Sequence, residues 1–184
     1  MFDLKSWQDI LIADIGEKRF KHSLRVMDMA LKLNNDLDED LVKTAAILHD
    51  CAKYNEEKYY KLYGENIDKK ECEYKEVLHS FLGAEVAKKV YNINDEKVLD
   101  AIRYHTTARS SMTNLEKIIY ISDTAEESRD YPGVEEIRNL SYVDLDKAIL
   151  YSLNRNIKYL IKKGELIHPL TIEARNFLIK EKNE

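Results

Sequence analysis

The chain has 184 residues, of which 44% are hydrophobic and 34% are charged, a composition typical of a globular protein with a sizeable core. Its 5 glycines and 2 prolines are too few for the many tight turns of a β-sandwich or barrel, so we expect an all-α fold. The net charge of −5 gives no electrostatic reason to expect a nucleic acid duplex as a partner.

Apolar residues recur at helical spacing through most of the chain and predict a series of helices. The first three are expected at 4–14, ended near Gly16, at 17–34, and from the cap Asp38 to about Asp50. A short helix followed by a loop is expected within the tyrosine-rich segment 54–75. Further helices are predicted at 76–91, 95–105, 114–128 with Asn114 as cap, 134–139, 144–163 and 170–181. No segment alternates with period two for long enough to predict a sheet, so one helical domain over 1–184 is expected.

The sequence predicts neither export nor membrane insertion. Stretches without a charge, such as 44–49 and 148–154, are far shorter than the ~20 residues that span a bilayer. The first ten residues contain acidic side chains and no apolar signal core. Cys51 and Cys72 are too few for a disulfide framework and too far apart for a C-x-x-C metal motif. We therefore expect a cytoplasmic protein without membrane contact.

Four histidines and two acids are distributed so that successive groups are separated by about one helix and a connection. In chain order they are His22, the pair His49 and Asp50, His79, His105 and Asp123. Asp123 interrupts an apolar run, where a carboxylate is costly to bury unless it is paired or bound to a cation. Imidazole and carboxylate donors without thiolate suit iron, manganese, cobalt or zinc. Each residue taken singly is more often a surface or packing group, but the order predicts one enclosed metal site.

This order, with the sequences around it, resembles the HD-domain metal-dependent phosphohydrolases. The segments HSLRV (22–26), AAILHDCAK (45–53), HSFLGAEVA (79–87) and AIRYHTT (101–107) carry the general pattern. The segments 117–138 and 168–179 are similar to those of one branch, the YqeK-type symmetrical bis(5′-nucleosyl)-tetraphosphatases. Ser122 and Ser128 stand where we expect Ala and often Pro in that branch.

The resemblance implies a helical bundle with a central metal cavity, in which a metal-activated water cleaves diadenosine tetraphosphate to two ADP. The principal metal ligands that it implies are His22, His49, Asp50 and Asp123, with iron as the expected ion. Two roles stay open for His79 and His105, which either bind a second metal ion bridged by Asp50 or donate hydrogen bonds to phosphate. The metal-binding core is expected at about 18–126, with C-terminal helices at 134–181 completing the bundle and the pocket.

Binding a dinucleoside polyphosphate also requires positive charge and hydrogen-bond donors near the metal. Lys53 follows Asp50 by three residues and Arg19 precedes His22 by one turn, so both can face the same cavity. The residues predicted to contact substrate or a product nucleoside diphosphate are Arg19, Lys53, His79, His105, Thr106, Arg129 and Arg175. Those predicted to act directly in catalysis are Asp50, Lys53, His79 and His105.

Three alternatives stay open from the sequence. Another HD phosphohydrolase would act on nucleoside mono- or triphosphates. An HD oxygenase would use a redox-active iron pair held by the same residue types. A non-catalytic module would bind a nucleotide and keep the metal ion for structure. Exposed aromatic residues also lead us to expect a homodimer.

Overall fold

The computed structural model describes residues 2–182, and the expected all-α fold is confirmed within them. The helices span Leu4–Leu33 (α1), Glu39–Leu48 (α2), Glu56–Tyr63 (α3), Lys75–Val90 (α4), Glu96–Tyr104 (α5), Asn114–Ala125 (α6), Val134–Ser141 (α7), Leu145–Lys163 (α8) and Pro169–Glu181 (α9). Two 3₁₀ turns, Gly64–Asn66 and Lys69–Glu73, connect α3 to α4. Across residues 2–182, none of the helices combines the length and the apolar character that crossing a bilayer requires.

The first helix bends at Gly16, where the sequence predicts the end of one helix and the start of another. Gly16 has φ 76° and ψ 157°, a region that is essentially closed to residues with a Cβ. The helical segments on either side follow each other without a connecting loop. Trp7 and Leu11 before the bend, and Phe20 and Val26 after it, are buried in the same core.

Replacing this glycine, in Gly16→Ala, is expected to destabilise the fold by about 1–3 kcal/mol because alanine cannot adopt this backbone conformation without strain. No atom lies within 4 Å of the position that a Cβ would take, so steric overlap does not contribute. Urea unfolding followed by circular dichroism measures the free energy of unfolding. Lys18→Ala, at an exposed position of the same helix, should change it by less than about 0.5 kcal/mol. An unchanged value for Gly16→Ala would contradict the argument.

Five helices enclose the core that positions the site. Contacts join α1 to α2 and α6, α2 to α5 and α6, and α5 to α4 and α6. Leu48, Leu82, Ile102 and Ile119 are fully buried between them, and burying each such side chain contributes about 1.5–3 kcal/mol. The C-terminal helices extend this bundle, since α7 and α8 pack on α6 and α9 packs on α8.

Helix starts follow the expected caps except at α6. The Asp38 carboxylate accepts a hydrogen bond from the backbone N–H of Asp40 and caps α2 as predicted. At α6 the cap is Thr113 and not the predicted Asn114, because Thr113 and Glu116 form a reciprocal capping box. Both residue types cap helices well, so the prediction is wrong by one position.

Candidate metal centre

Five elements of the bundle direct polar side chains to one point in the interior. The six residues are His22 on α1, His49 and Asp50 directly after α2, His79 on α4, His105 directly after α5 and Asp123 on α6. All are buried except Asp123, whose side chain is 20% exposed. Side chains that are far apart in the sequence therefore form one cluster at the end of several helices.

One group of ligand atoms lies between α1, α2 and α6. His22 Nε2 is 2.9 Å from Asp123 Oδ1 and 3.9 Å from Asp50 Oδ2. His49 Nε2 is 3.7 Å from that Asp123 oxygen and 3.3 Å from that Asp50 oxygen. Metal–ligand bonds of about 2.1 Å place neighbouring ligand atoms of an octahedron about 3.0 Å apart and opposite ones about 4.2 Å apart. The separations are close to this range, so these four side chains could hold one metal ion and leave positions for water and phosphate.

Asp50 takes part in two groups because its oxygens point in different directions. Oδ2 belongs to the group just described, whereas Oδ1 lies 3.2 Å from His79 Nε2 and 3.6 Å from His105 Nε2. These two imidazole nitrogens are 3.3 Å apart. A carboxylate in this position can connect a bound metal ion to a second point that receives another ion or a phosphate oxygen.

Hydrogen bonds at two helix ends decide which imidazole nitrogens face the cluster. His49 and His105 follow the last residues of α2 and α5, and their Nδ1–H groups donate at 2.7 Å to the carbonyls of Ala46 and Ile102 respectively. Each ring therefore turns Nε2, the nitrogen that can bind a metal ion, to the cluster. His49 Nε2 is buried and has no hydrogen-bond partner among residues 2–182. A buried nitrogen without a hydrogen-bond partner is what a metal ion can use as a ligand.

His22 is oriented by Glu126, a residue that the sequence analysis missed. The His22 Nδ1–H donates to Glu126 Oε1 at 3.0 Å, which leaves the lone pair on Nε2. That lone pair faces Asp123 Oδ1 at 2.9 Å. Two acceptor atoms this close repel unless a proton or a metal cation lies between them. The cluster is thus built around a positive charge, and its nitrogen and oxygen donors fit a transition metal ion.

The charges of the cluster favour the ionised forms of His49, Asp50 and Asp123. Burial disfavours the protonated ring of His49, but the negative charges of Asp50 and Asp123 beside it raise its pKa to about 10. Burial would raise the pKa of both carboxyls, but the neighbouring imidazoles hold the pKa of Asp50 and of Asp123 well below the usual range. The carboxylates therefore stay ionised and retain a positive partner, a proton that a metal ion can replace.

His79 differs from the other three histidines because Lys53 occupies its Nδ1. The Lys53 ammonium can only donate, and its Nζ lies 3.1 Å from His79 Nδ1, so the ring proton is on Nε2. Burial lowers the pKa of His79 and favours the neutral ring. The Nε2–H lies near Asp50 Oδ1, with Thr106 Oγ1 at 3.5 Å. Of the two roles left open for His79, this geometry favours donation to a phosphate oxygen.

Two of the predicted arginines contact the carboxylates of the cluster. Arg19 donates from Nη1 to Asp50 Oδ2 at 3.0 Å and from Nη2 to the Tyr54 hydroxyl at 3.1 Å. Arg129 donates from Nη2 to Asp123 Oδ1 at 2.6 Å and from Nε to the Asp123 carbonyl at 2.8 Å. Both arginine side chains are partly exposed. Each can therefore turn its remaining donors toward a phosphate that arrives from solvent.

Arg175 lies outside the cluster. Its Nε donates to Asn154 Oδ1 at 2.7 Å and its Nη1 to Asn176 Oδ1 at 3.0 Å. The first contact joins α9 to α8, so the guanidinium serves helix packing here. The structure therefore gives no support to the predicted contact of Arg175 with substrate.

Glu126 is the buried centre of a small network behind His22. Besides the imidazole, Arg25 Nε donates to it at 2.9 Å, and Ser128 donates from its backbone N at 2.7 Å and from Oγ at 2.6 Å. Burial opposes ionisation, but these hydrogen bonds lower the pKa of Glu126 to about 2. Ser128 is one of the two departures from the family pattern, and here it fixes this carboxylate. The position of Glu126 three residues after Asp123 was the available signal in the sequence.

Arg138 on α7 is a second residue that the sequence analysis missed. It donates to the carbonyls of Ala125 and Glu126 at 2.8 Å and of Arg129 at 2.7 Å. These contacts hold the chain in a non-helical path after Ala125, so α6 ends there and the predicted extension to residue 128 is wrong. They also fix the loop that carries Glu126 and Arg129 to the cluster.

Comparisons with known proteins agree with this geometry. The sequence model of the HD domain family matches residues 19–128. A symmetrical bis(5′-nucleosyl)-tetraphosphatase of Staphylococcus aureus (strain NCTC 8325 / PS 47) is 40% identical over 170 residues, which cover 89% of this chain and 88% of the relative. The protein of the same name from Bacillus subtilis (strain 168) is 36% identical, with 90% of this chain and 91% of the relative covered.

A solved structure extends the likeness to the whole fold. It is the crystal structure of an HD superfamily hydrolase from Clostridium acetobutylicum, described as involved in NAD metabolism. The two chains superpose with a TM-score of 0.92 at 42% sequence identity, covering 98% of this chain and 99% of the other. The C-terminal helices are therefore shared as well as the bundle that carries the cluster.

Proposed function

Because this chain belongs to the HD domain family and, within it, to the symmetrical bis(5′-nucleosyl)-tetraphosphatases, we propose that it hydrolyses diadenosine tetraphosphate to two ADP. The observation that supports this most is the position of Asp50. One of its oxygens faces His22 and His49, and the other faces His79 and His105. A single buried carboxylate thus joins a metal-binding group to a phosphate-binding group, as a hydrolase of phosphoanhydrides requires.

In this proposal a resident metal ion would be held by His22, His49, Asp50 and Asp123. When bound, a divalent or trivalent transition metal ion supplies a Lewis acid and a water whose pKa is lowered toward neutrality. Iron is our choice, since two histidine nitrogens and two carboxylates suit an ion of hard or intermediate character better than one that prefers thiolate. We keep a second ion as the alternative role of His105, whose Nε2 lone pair is free to bind it.

The phosphate chain is bound by the donors that surround the cluster. His79 offers its Nε2–H, and Lys53 holds that proton in place from the other side of the ring. Arg19 and Arg129 neutralise charge at the two carboxylates of the metal-binding group, and Thr106 adds a hydroxyl. Hydrolysis adds water across the bond between the second and third phosphates, and the leaving ADP is a stable anion. Catalysis therefore rests on positioning and charge neutralisation, without a strong general acid.

We also propose that residues 1–184 act as one HD domain, with helices α7 to α9 needed for the site. Arg138 on α7 fixes the loop of Glu126 and Arg129. The Thr171 hydroxyl on α9 donates a hydrogen bond to the carbonyl of Thr107 at 3.0 Å. Both contacts tie C-terminal helices to segments that carry the cluster. The cytoplasmic location and the homodimer stay predictions.

The test is a chromatographic product assay on purified protein together with metal analysis. We expect a bound transition metal, ADP as the sole product from diadenosine tetraphosphate, and loss of activity after chelation that metal addition restores. Formation of AMP and ATP would contradict symmetric cleavage. Nucleotide binding without turnover would favour the non-catalytic module, and dependence on oxygen would favour the oxygenase.

A further inference from the structure

A cavity of about 310 Å³ lies between the start of α4, the segment after α5 and the turn that joins α8 to α9. Its wall includes Tyr74, Val77, Asn156, Leu160 and Leu166. The size is at the lower end of the range for sites that bind small organic ligands. The mixture of one aromatic ring, aliphatic side chains and one amide is also typical of such sites.

The cavity shares one wall residue, Thr106, with the phosphate-binding side of the metal centre. Thr106 forms part of its wall, and the hydroxyl of the same residue is 3.5 Å from His79 Nε2. Thr106 is therefore the point at which a molecule bound at His79 would reach the cavity.

The cavity wall next to Tyr74 is held in place by contacts within the protein. His168 Nε2 pairs with Glu71 Oε2 at 2.6 Å, and the His168 ring packs edge-on against Tyr74 with centroids 4.5 Å apart. Because Glu71 belongs to the 3₁₀ turn before α4, this pair ties that turn to the start of α9. The cavity therefore does not need to form when a ligand arrives, which lowers the entropic cost of binding.

The charges of the wall exclude phosphate and favour a neutral ligand. Three carboxylates, those of Glu73, Glu76 and Glu165, border the cavity, against one ammonium, that of Lys75. The arginines and the lysine that suit phosphate contact the metal-binding cluster instead. Carboxylates next to a neutral ligand can accept hydrogen bonds from sugar hydroxyls, as they do in dinucleotide-binding sites.

We propose that this cavity binds one nucleoside of the substrate, with the base against Tyr74 and the Asn156 amide hydrogen-bonded to the base edge. Asn156 makes no side-chain hydrogen bond within the described part of the chain, and Leu160 continues the same face of α8 one turn later. An amide carries both a donor and an acceptor, which is the pattern that pairs with an adenine edge. The inference rests on the proposed function and adds to it, because a nucleoside anchored here sets which phosphorus reaches the metal centre.

The experiment compares ADP with pyrophosphate, which has the same two phosphates and no nucleoside. Binding of each to the metal-loaded protein is measured by calorimetry for the unchanged chain, for Asn156→Ala, and for Leu166→Trp, which fills the cavity from its exposed edge. We expect ADP to bind about tenfold more weakly to both variants, with pyrophosphate affinity unchanged. Asn139→Ala, an exposed asparagine on α7, is the matched control and should leave both affinities unchanged.

The proposal is wrong if both variants bind ADP as the unchanged chain does, or if they lose ADP and pyrophosphate affinity equally. The binding measurement requires no turnover. A chain that fails to hydrolyse diadenosine tetraphosphate, yet shows the selective loss of ADP affinity, would overturn the proposed function and support the nucleoside cavity. The experiments therefore distinguish a failure of the nucleoside-cavity proposal from a failure of the proposed function.

Discussion

Asp50→Asn is expected to lower hydrolysis of diadenosine tetraphosphate by about 1,000-fold or more, because both the bound metal ion and the shared carboxylate are lost. Asp50 is 3% exposed, and each of its oxygens faces two imidazoles. Asparagine has nearly the same shape but replaces one oxygen by an NH₂ donor and removes the negative charge. The charge attraction that retains the cation therefore disappears.

Metal content measured after gel filtration should fall in parallel with activity, while the helical circular dichroism signal stays that of the unchanged chain. Asp146→Asn is the matched control, since Asp146 pairs with Lys117 at the surface and its side chain is half exposed. It should retain metal and activity. A variant Asp50→Asn with full metal content and full turnover would remove the basis of the proposed mechanism.

Glu126→Ala is expected to weaken metal affinity by about 10- to 100-fold, although Glu126 touches no metal ion. The carboxylate fixes the His22 ring through Nδ1 and so keeps the Nε2 lone pair directed to the cluster. Without it, the ring can rotate or place its proton on Nε2. Glu126 acts as a positioning residue, so turnover at saturating metal should fall much less than metal affinity does.

Competition with a coloured chelator measures this affinity independently of activity. Glu127→Ala is the matched control because Glu127 is the next residue in the chain and is exposed. Glu126→Gln should recover part of the affinity, since its amide oxygen can still accept the hydrogen bond from His22. Equal metal affinity in Glu126→Ala and Glu127→Ala would show that the buried network has no effect on the metal centre.

Helical periodicity and caps predicted most of the elements because both are local. The stripe of apolar residues from Phe20 onward and the cap Asp38 depend on neighbours within one or two turns. Apart from the cap of α6, the differences occur where residues distant in the sequence decide the local structure. The end of α6 depends on Arg138, which takes the carbonyls that a longer helix would use. The 3₁₀ turn Lys69–Glu73 is tied by Glu71 to His168, far along the chain.

The residues of the candidate site also divide into those that the sequence indicated and those that only the structure identified. The order of His22, His49 with Asp50, His79, His105 and Asp123 was visible in the sequence, and the family that it indicated is confirmed. Glu126 and Arg138 were not singled out: the one signal for Glu126 was its position three residues after Asp123, and an arginine in a charged segment has no distinguishing pattern. Arg175 was predicted to contact substrate because its segment resembles that of the family. Such a resemblance does not show which way a side chain points, and the structure directs Arg175 to Asn154 and Asn176.

Sequence by itself determined that the chain is helical, that nitrogen and oxygen donors recur once per helix, and which family this order belongs to. Only the tertiary structure decided that Asp50 faces two groups, that Lys53 sets the proton of His79, and that Glu126 orients His22. The physical reason is the range of the interactions. Helix formation depends on contacts a few residues apart, whereas the direction of a lone pair or a proton depends on which groups from other helices are packed against it.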